Sequence, residues 1–430
     1  MNDDGGGRFD RLYADRTMSM RTSATKALAA PRRGPGIVSL AGGSPEMGAF
    51  AEEALRRMGS SVVREAATAF QYGPTEGASA ARSVVAEAII AAGTPARSED
   101  VLVTNGGQQV LDLMGRVFLN EEDAVLVEAP TYYGALNAFA AYRPRILGVP
   151  VDDEGMDVAA AREVLERARK IGTRVKFVYT IPNFQNPTGV TMTLGRRREL
   201  LELARDFGLP ILEDDAYGML RYEGESVPTL SALEHENIGG PGRVAYLGTF
   251  SKVFSPGVRL GWVHARPDIL GRMRLAKQGA DLGPSSLSQT VAVEFFRGGE
   301  WREHVRRLGG IYRERRDAML DSLAEFMPEE VSWTRPEGGF FVWVTLPENL
   351  DAAAILPEAV GRGVAYVPGE DFYADAVAGK NRLRLSFSFA EPQLIWRGVR
   401  ILSGIVRDRM EIEDIAAGRG LREQAYARGG

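Results

Sequence analysis

Apolar residues recur along this chain in two rhythms, and the alternation between them predicts the fold. Short β-rich runs occupy residues 101–104, 124–128, 145–151, 176–180, 210–213, 244–248 and 260–264. Near-continuous apolarity over so short a run marks a strand buried on both faces. Between most of these runs the spacing is helical. Val158, Ala161, Leu165 and Ala168 share one face of a helix predicted over 157–170. Leu200, Ala204 and Phe207 do the same over 193–207, with Thr193 as candidate N-cap and Gly208 just past the end. Helical patterns from about residue 51, and over 78–92, precede the first strand. Strands joined by helices predict an α/β fold, its large domain built on a mostly parallel seven-stranded sheet between helices.

The rhythm changes after about Trp301, where a long charged amphipathic stretch, 301–326, reads as a linking helix. Shorter strands are expected beyond it at 331–334, 340–345, 364–367 and 383–388, then a helix from 391 to about 409. These predict a smaller α+β domain built from the N-terminal and C-terminal segments. The expected division is an N-terminal arm and part of the small domain over 1–65, the large domain over 66–310, the C-terminal part of the small domain over 311–410, and a surface tail over 411–430. Residues 1–35 are polar and poorly periodic, with a short helix expected from about Thr22.

Composition narrows the chemistry. The net charge of −5 comes from interspersed acids and bases, so no basic face for nucleic acid or anionic lipid is expected. No apolar run approaches a membrane span, and the first residues lack the pattern of a secretory signal. With no cysteine, disulfides and thiolate catalysis are excluded, and the three scattered histidines argue against a zinc site. The cytoplasm is the expected location. Only six of the 52 basic residues are lysine (Lys26, Lys170, Lys176, Lys252, Lys277 and Lys380), which makes each lysine a candidate for more than bulk charge.

The suspicious residues follow the strands. In an open parallel sheet, ligands bind beyond the carboxyl ends of the strands. After 101–104 comes Asn105-Gly106-Gly107-Gln108, opening a helix whose free N–H groups favour an anion, although such a turn can be purely structural. Ala129-Pro130-Thr131-Tyr132-Tyr133 offers an aromatic ring to a planar ligand, or only a packed loop. The loop from Pro182 to Gly189 is dense in turn formers. Glu213-Asp214-Asp215 sets three carboxylates at the end of an apolar strand, a costly placement unless each is paired; a metal is the rival explanation. Thr249-Phe250-Ser251-Lys252, with Arg259 seven residues on, combines hydroxyls, an amine and a guanidinium, suited to a phosphate plus a desolvated lysine.

Five motifs in order, Gln71-Tyr72-Gly73-Pro74, Asn186-Pro187-Thr188-Gly189, Asp214-Asp215-Ala216-Tyr217, Ser251-Lys252 with Arg259, and Arg384-Leu385-Ser386-Phe387-Ser388, resemble the fold-type I pyridoxal-phosphate enzymes. The resemblance runs from about Ser23 to Arg407 and is strongest to class I/II aminotransferases of the 2-aminoadipate and kynurenine branch. It implies pyridoxal 5'-phosphate as cofactor and an amino group moved between an α-amino acid and a 2-oxo acid. Lys252 is then the residue joined to the cofactor and the acid–base group. Asp214 pairs with the pyridine nitrogen, Asn186 and Tyr217 with the ring's 3′-oxygen, and Tyr132 stacks on the ring. Gly107, Gln108, Thr249, Ser251 and Arg259 hold the phosphate, and Tyr72 reaches that of the other subunit, which implies a homodimer with shared sites. Arg384 forks onto the substrate carboxylate with Asn186 assisting, and Gly43 lines the substrate pocket.

Two points are left open. Relatives acting on long acidic or aromatic substrates carry Ser-x-Ile-Arg in the N-terminal helix, where this chain has Ser23-Ala24-Thr25-Lys26. The loop from Asp281 to Ser286 is also a candidate to approach a partner's cofactor. Alternatives within the same cofactor chemistry are a lyase or an oxidative deaminase of secondary metabolism. Outside enzymology, the alternative is the ligand-sensing domain of a transcription regulator, for which the first residues leave no room for a DNA-binding domain.

Overall fold

The computed structural model describes residue 9 and residues 12–17, 36–375 and 377–416. The helix expected from Thr22 and the candidate substrate contact Lys26 lie outside these residues.

An α/β sheet flanked by helices forms the larger part of the fold. Its strands, numbered along the chain after β1 (Val38–Ser39), are β2 (Val101–Thr104), β3 (Ala124–Ala129), β4 (Arg145–Asp152), β5 (Gly155–Met156), β6 (Val175–Thr180), β7 (Ile211–Asp214), β8 (Val244–Thr249) and β9 (Gly261–His264). They lie in the order β2-β9-β8-β7-β6-β3-β4-β5. Neighbours from β4 through β8 run parallel, while β9 is antiparallel to both β2 and β8. The sheet is mostly parallel, as expected, but has eight strands rather than seven. The addition is β5, which folds back on Val151 and Asp152 through a tight turn; two residues are too few to show a period.

Period-two alternation sorts the sheet's side chains between two cores. Val125 and Val127 pack on one side and Leu126 on the other; Leu212 and Leu247 join the first side and Ile211 the second. The helices Val158–Lys170 and Leu194–Phe207 form as expected, capped by Asp157 and Thr193, and the second ends at Gly208 in the left-handed region.

A second sheet orders β10 (Ser332–Trp333), β11 (Phe341–Thr345), β14 (Arg382–Ser386) and β13 (Val367–Pro368), all antiparallel. The strand expected over 364–367 divides at Tyr366. β12 (Val364–Ala365) pairs with β1, while β13 pairs with β14. Tyr366 anchors this change of partner, its ring buried and its hydroxyl donating to Ala352 O at 2.7 Å. The pairing of β1 with β12 ties the N-terminal segment to the C-terminal one, as the smaller α+β unit required. The helix Trp301–Phe326 packs along the final helix, Pro392–Ala416. That last helix runs past its expected end at about Arg409: no breaker follows, and it continues to Ala416. Residues 417–430 lie outside the described ones.

Candidate active site

The carboxyl ends of β3, β6, β7 and β8 open on a cavity of about 340 Å³. Gly43, Gly107, Gln108, Tyr132, Asn186, Asp214, Tyr217, Thr249, Ser251, Lys252, Arg259 and Arg384, singled out in the sequence, all line it. Tyr72 does not: it is 87% exposed.

Strand alternation explains which of three consecutive carboxylates faces the cavity. Glu213 shares its side of β7 with Ile211, and its oxygens accept the Leu230 and Ser231 N–H groups, capping the helix Leu230–Ile238. Asp215 accepts from Asn183 and from the Tyr246 hydroxyl, both at 2.8 Å. Asp214 follows Leu212 onto the cavity side, where Tyr179 donates to Oδ2 at 2.8 Å and Oδ1 is buried with no hydrogen-bond partner. Burial raises the Asp214 carboxyl to about 7, opposed by the Tyr179 hydroxyl and the charge of Lys252. No metal is needed to account for the cluster, since each carboxylate has its own partner or direction.

Lys252 follows β8 and donates from Nζ to Gly43 O at 3.1 Å. Burial, with the charges of Arg384 and Arg259, brings its amine down to about 8. A Cβ at Gly43 would stand 3.0 Å from Phe341 Cζ, so a larger residue there would press on the Phe341 ring. Across the cavity, Thr249 Oγ1 donates to Ser251 Oγ at 2.9 Å beside the turn that starts the helix Gly107–Phe118. Gly106 has φ 75°, and a Cβ there would lie 2.6 Å from Arg259 Nη2, so only glycine lets the guanidinium cross this turn.

Arg384 comes from β14, between Trp343 and Val367. It donates to Asn186 Oδ1 and Ala41 O, each at 2.8 Å, and its guanidinium lies 4.0 Å from the Phe341 ring centroid. Nε is buried with no hydrogen-bond partner, and burial lowers the group to about 10. The loop carrying Asn186 is fixed by Gln185, whose amide bridges Glu128 and Pro130 O while its carbonyl accepts from Thr188. Burial raises Glu128 to about 7, offset by donors from Thr180, Gln185 and the Ile181 N–H.

Sequence reasoning missed Tyr179, Ile181 and Phe341. Tyr179 sits inside an apolar run and reads as core. Phe341 begins an ordinary strand, and only the pairing of β11 with β14 sets it beside Arg384.

This geometry, a lysine, a carboxylate and an arginine from three separate elements meeting beyond a parallel sheet, belongs to an enzyme that holds a small charged substrate. Residues 36–398 match the family model of aminotransferases of class I and II. The chain is 43% identical to aromatic-amino-acid aminotransferase 1 of Thermococcus litoralis, over 94% of its own length and 96% of the relative's. Kynurenine aminotransferase of Pyrococcus horikoshii, solved with PMP, superposes with a TM-score of 0.88 at 42% identity, covering 94% of this chain and 98% of that one. The α-aminoadipate aminotransferase of Thermus thermophilus, complexed with N-(5'-phosphopyridoxyl)-L-leucine, gives 0.86 at 39% identity, covering 94% and 99%. The chain belongs to the class I and II aminotransferase family. It is an enzyme, a transaminase dependent on pyridoxal phosphate.

Proposed function

We propose that Lys252, Asp214 and Arg384 divide the work of transamination in this cavity, and that amino donors with aromatic or long side chains are its substrates. The observation that carries the reading is the convergence of these three groups on one cavity, Asp214 and Arg384 buried and Lys252 half-buried, each with unused bonding capacity. The residues fit pyridoxal phosphate. Asp214 Oδ1 is a buried acceptor awaiting a donor, and the hydroxyls and guanidinium beside the Gly106 turn suit a phosphate. When bound, the cofactor supplies an electron sink for the negative charge left by the α-proton of an amino acid.

Asp214, its charge sustained by Tyr179, would pair with the ring nitrogen and keep a proton there. Lys252, its amine brought down to about 8 by burial, is the residue that would hold the cofactor and, once free, carry a proton at the substrate α-carbon. Asn186 and Tyr217 would bond the 3′-oxygen, and Tyr132 would cover the ring face. Gly107, Gln108, Thr249, Ser251 and Arg259 hold the phosphate. Of the five N–H donors of Arg384, Asn186 and Ala41 engage two, which leaves a fork for the substrate carboxylate. Gly43 closes over the substrate, whose side chain meets Tyr133, Ile181 and Phe341. The substrate range follows the named relatives and this apolar wall.

The same reading makes the enzyme a homodimer in which Tyr72 completes the partner's phosphate site, consistent with exposed Phe70, Tyr72, Leu282 and Leu287. It keeps the division into 66–310 and 311–410 with 1–65, and a cytoplasmic location for a chain without cysteine. The test is a panel of amino acids followed by cofactor absorbance. Aromatic donors should shift it and a 2-oxo acid should restore it. Normal turnover by Lys252→Ala would overturn the assignment.

A further inference from the structure

Among the described residues Lys277 is a fully buried lysine, and nothing in the reaction uses it. It is 0% exposed, and its amine meets both oxygens of Asp281, at 2.8 and 2.7 Å. The placement runs against local preference twice. A buried ammonium is costly even when paired, and Asp281 closes the helix Pro267–Asp281, where the helix dipole disfavours a carboxylate. Such violations mark positions held for function.

The carboxylate does more than neutralise the lysine. Asp281 Oδ2 also accepts from Asn105 Nδ2 at 2.5 Å and Gln109 Nε2 at 2.6 Å, while Gln109 Oε1 accepts the Asn105 N–H at 2.9 Å. Asn105 and Gln109 bracket Gly106-Gly107-Gln108, the turn that Arg259 crosses. On its other side the Asp281 carbonyl accepts the Gly283 N–H, and Gly283 packs on Pro74, two residues from Tyr72.

We propose that Lys277 and Asp281 are positioning residues for the cofactor phosphate, the lysine fixing a carboxylate that clamps both ends of the phosphate-binding turn. The proposal rests on the reading of that turn given above. Neither residue lines the cavity. Their loss therefore affects the phosphate's contribution to binding and spares the chemistry.

The test compares dissociation constants of the cofactor-free enzyme for pyridoxal phosphate and for pyridoxal, which lacks the phosphate, in Lys277→Met and Asp281→Asn. Pyridoxal phosphate affinity should fall roughly 10–100-fold, the range for losing hydrogen bonds to a charged group. Pyridoxal affinity, and kcat and KM at saturating cofactor, should hold. Gln109→Leu removes one arm of the clamp without stranding a charge. It should give a smaller loss of the same kind, and it decides the matter if the charge variants do not fold. Parallel losses for both ligands, or wild-type affinity in a folded Gln109→Leu protein, overturn the clamp. A wild-type enzyme that binds pyridoxal phosphate no better than pyridoxal instead sinks the phosphate reading beneath it.

Discussion

The Tyr179 hydroxyl holds one oxygen of Asp214 at 2.8 Å and leaves the other buried and unpartnered. A donor to a carboxylate stabilises its charged form, so removing it lets Asp214 protonate more readily, above its present value of about 7. A neutral Asp214 cannot hold the proton on the ring nitrogen. Tyr179→Phe should therefore lower kcat/KM about 10-fold near neutrality. The deficit should shrink as pH rises and Asp214 ionises again. Rates of the variant and wild type across pH check this, and a constant ratio refutes it.

Burial, then the charges of Arg384 and Arg259, disfavours the protonated form of Lys252 and brings its amine down to about 8. Only the neutral amine attacks an aldehyde. Capture of pyridoxal phosphate by the cofactor-free enzyme should accelerate as pH rises through about 8 and level off above it. Arg384→Met removes one repelling charge, so the inflection should move upward. Stopped-flow absorbance measures both. An inflection near the ordinary lysine value of about 10.4 would contradict the assigned environment.

Much of this was legible in the sequence, and the exceptions have physical causes. The large sheet's apolar runs fall within a residue or two of β2, β3, β4, β6, β7, β8 and β9; apart from the partly exposed β4, these are strands buried on both faces, which carry a continuous signal. Two-residue β5 carries none. The division at Tyr366 was invisible because Val364, Ala365 and Val367 are equally apolar, and pairing with β1 or β14 is a tertiary choice. Alternation separates Asp214 from its two neighbours, whereas the role of Tyr179 depends on how β6 registers against β7, which no local pattern records. Tyr72 lies away from the cavity of its own chain, on the exposed surface.

Arg384→Lys keeps the charge and should still fail. A lysine cannot replace Nη1 on Asn186, Nη2 on Ala41 O and the remaining fork together, nor lie flat over Phe341. KM for the amino acid should rise roughly 10–100-fold, with a smaller effect on kcat. Steady-state kinetics decide, and an unchanged KM would remove Arg384 from carboxylate binding.

Sharing of sites between subunits has a sharper test than mass alone. In hybrids of a Lys252→Ala chain with a Tyr72→Ala chain, shared sites place both lesions in one cavity and leave the other intact. Activity at limiting cofactor should then exceed that of either parent. If Tyr72 serves its own chain, every cavity keeps a lesion and nothing is regained.

Arg197 links stability to the position of Asn186. It is fully buried and donates to Met192 O at 3.0 Å, Pro228 O at 3.0 Å, Pro182 O at 3.1 Å and Asn183 Oδ1 at 2.6 Å. Three of these acceptors bound the loop that carries Asn186, and the fourth leads into the helix Leu230–Ile238. Arg197→Met fills the space but strands buried carbonyls and Asn183, which costs about 3–5 kcal/mol, in the range for breaking a buried charged network. The urea midpoint should fall accordingly. Because Asn186 aligns Arg384, KM should rise as well, even at temperatures where the variant is fully folded. Arg197→Lys, which reaches fewer acceptors, should lie between. A variant that loses stability while KM holds would confine Arg197 to the fold.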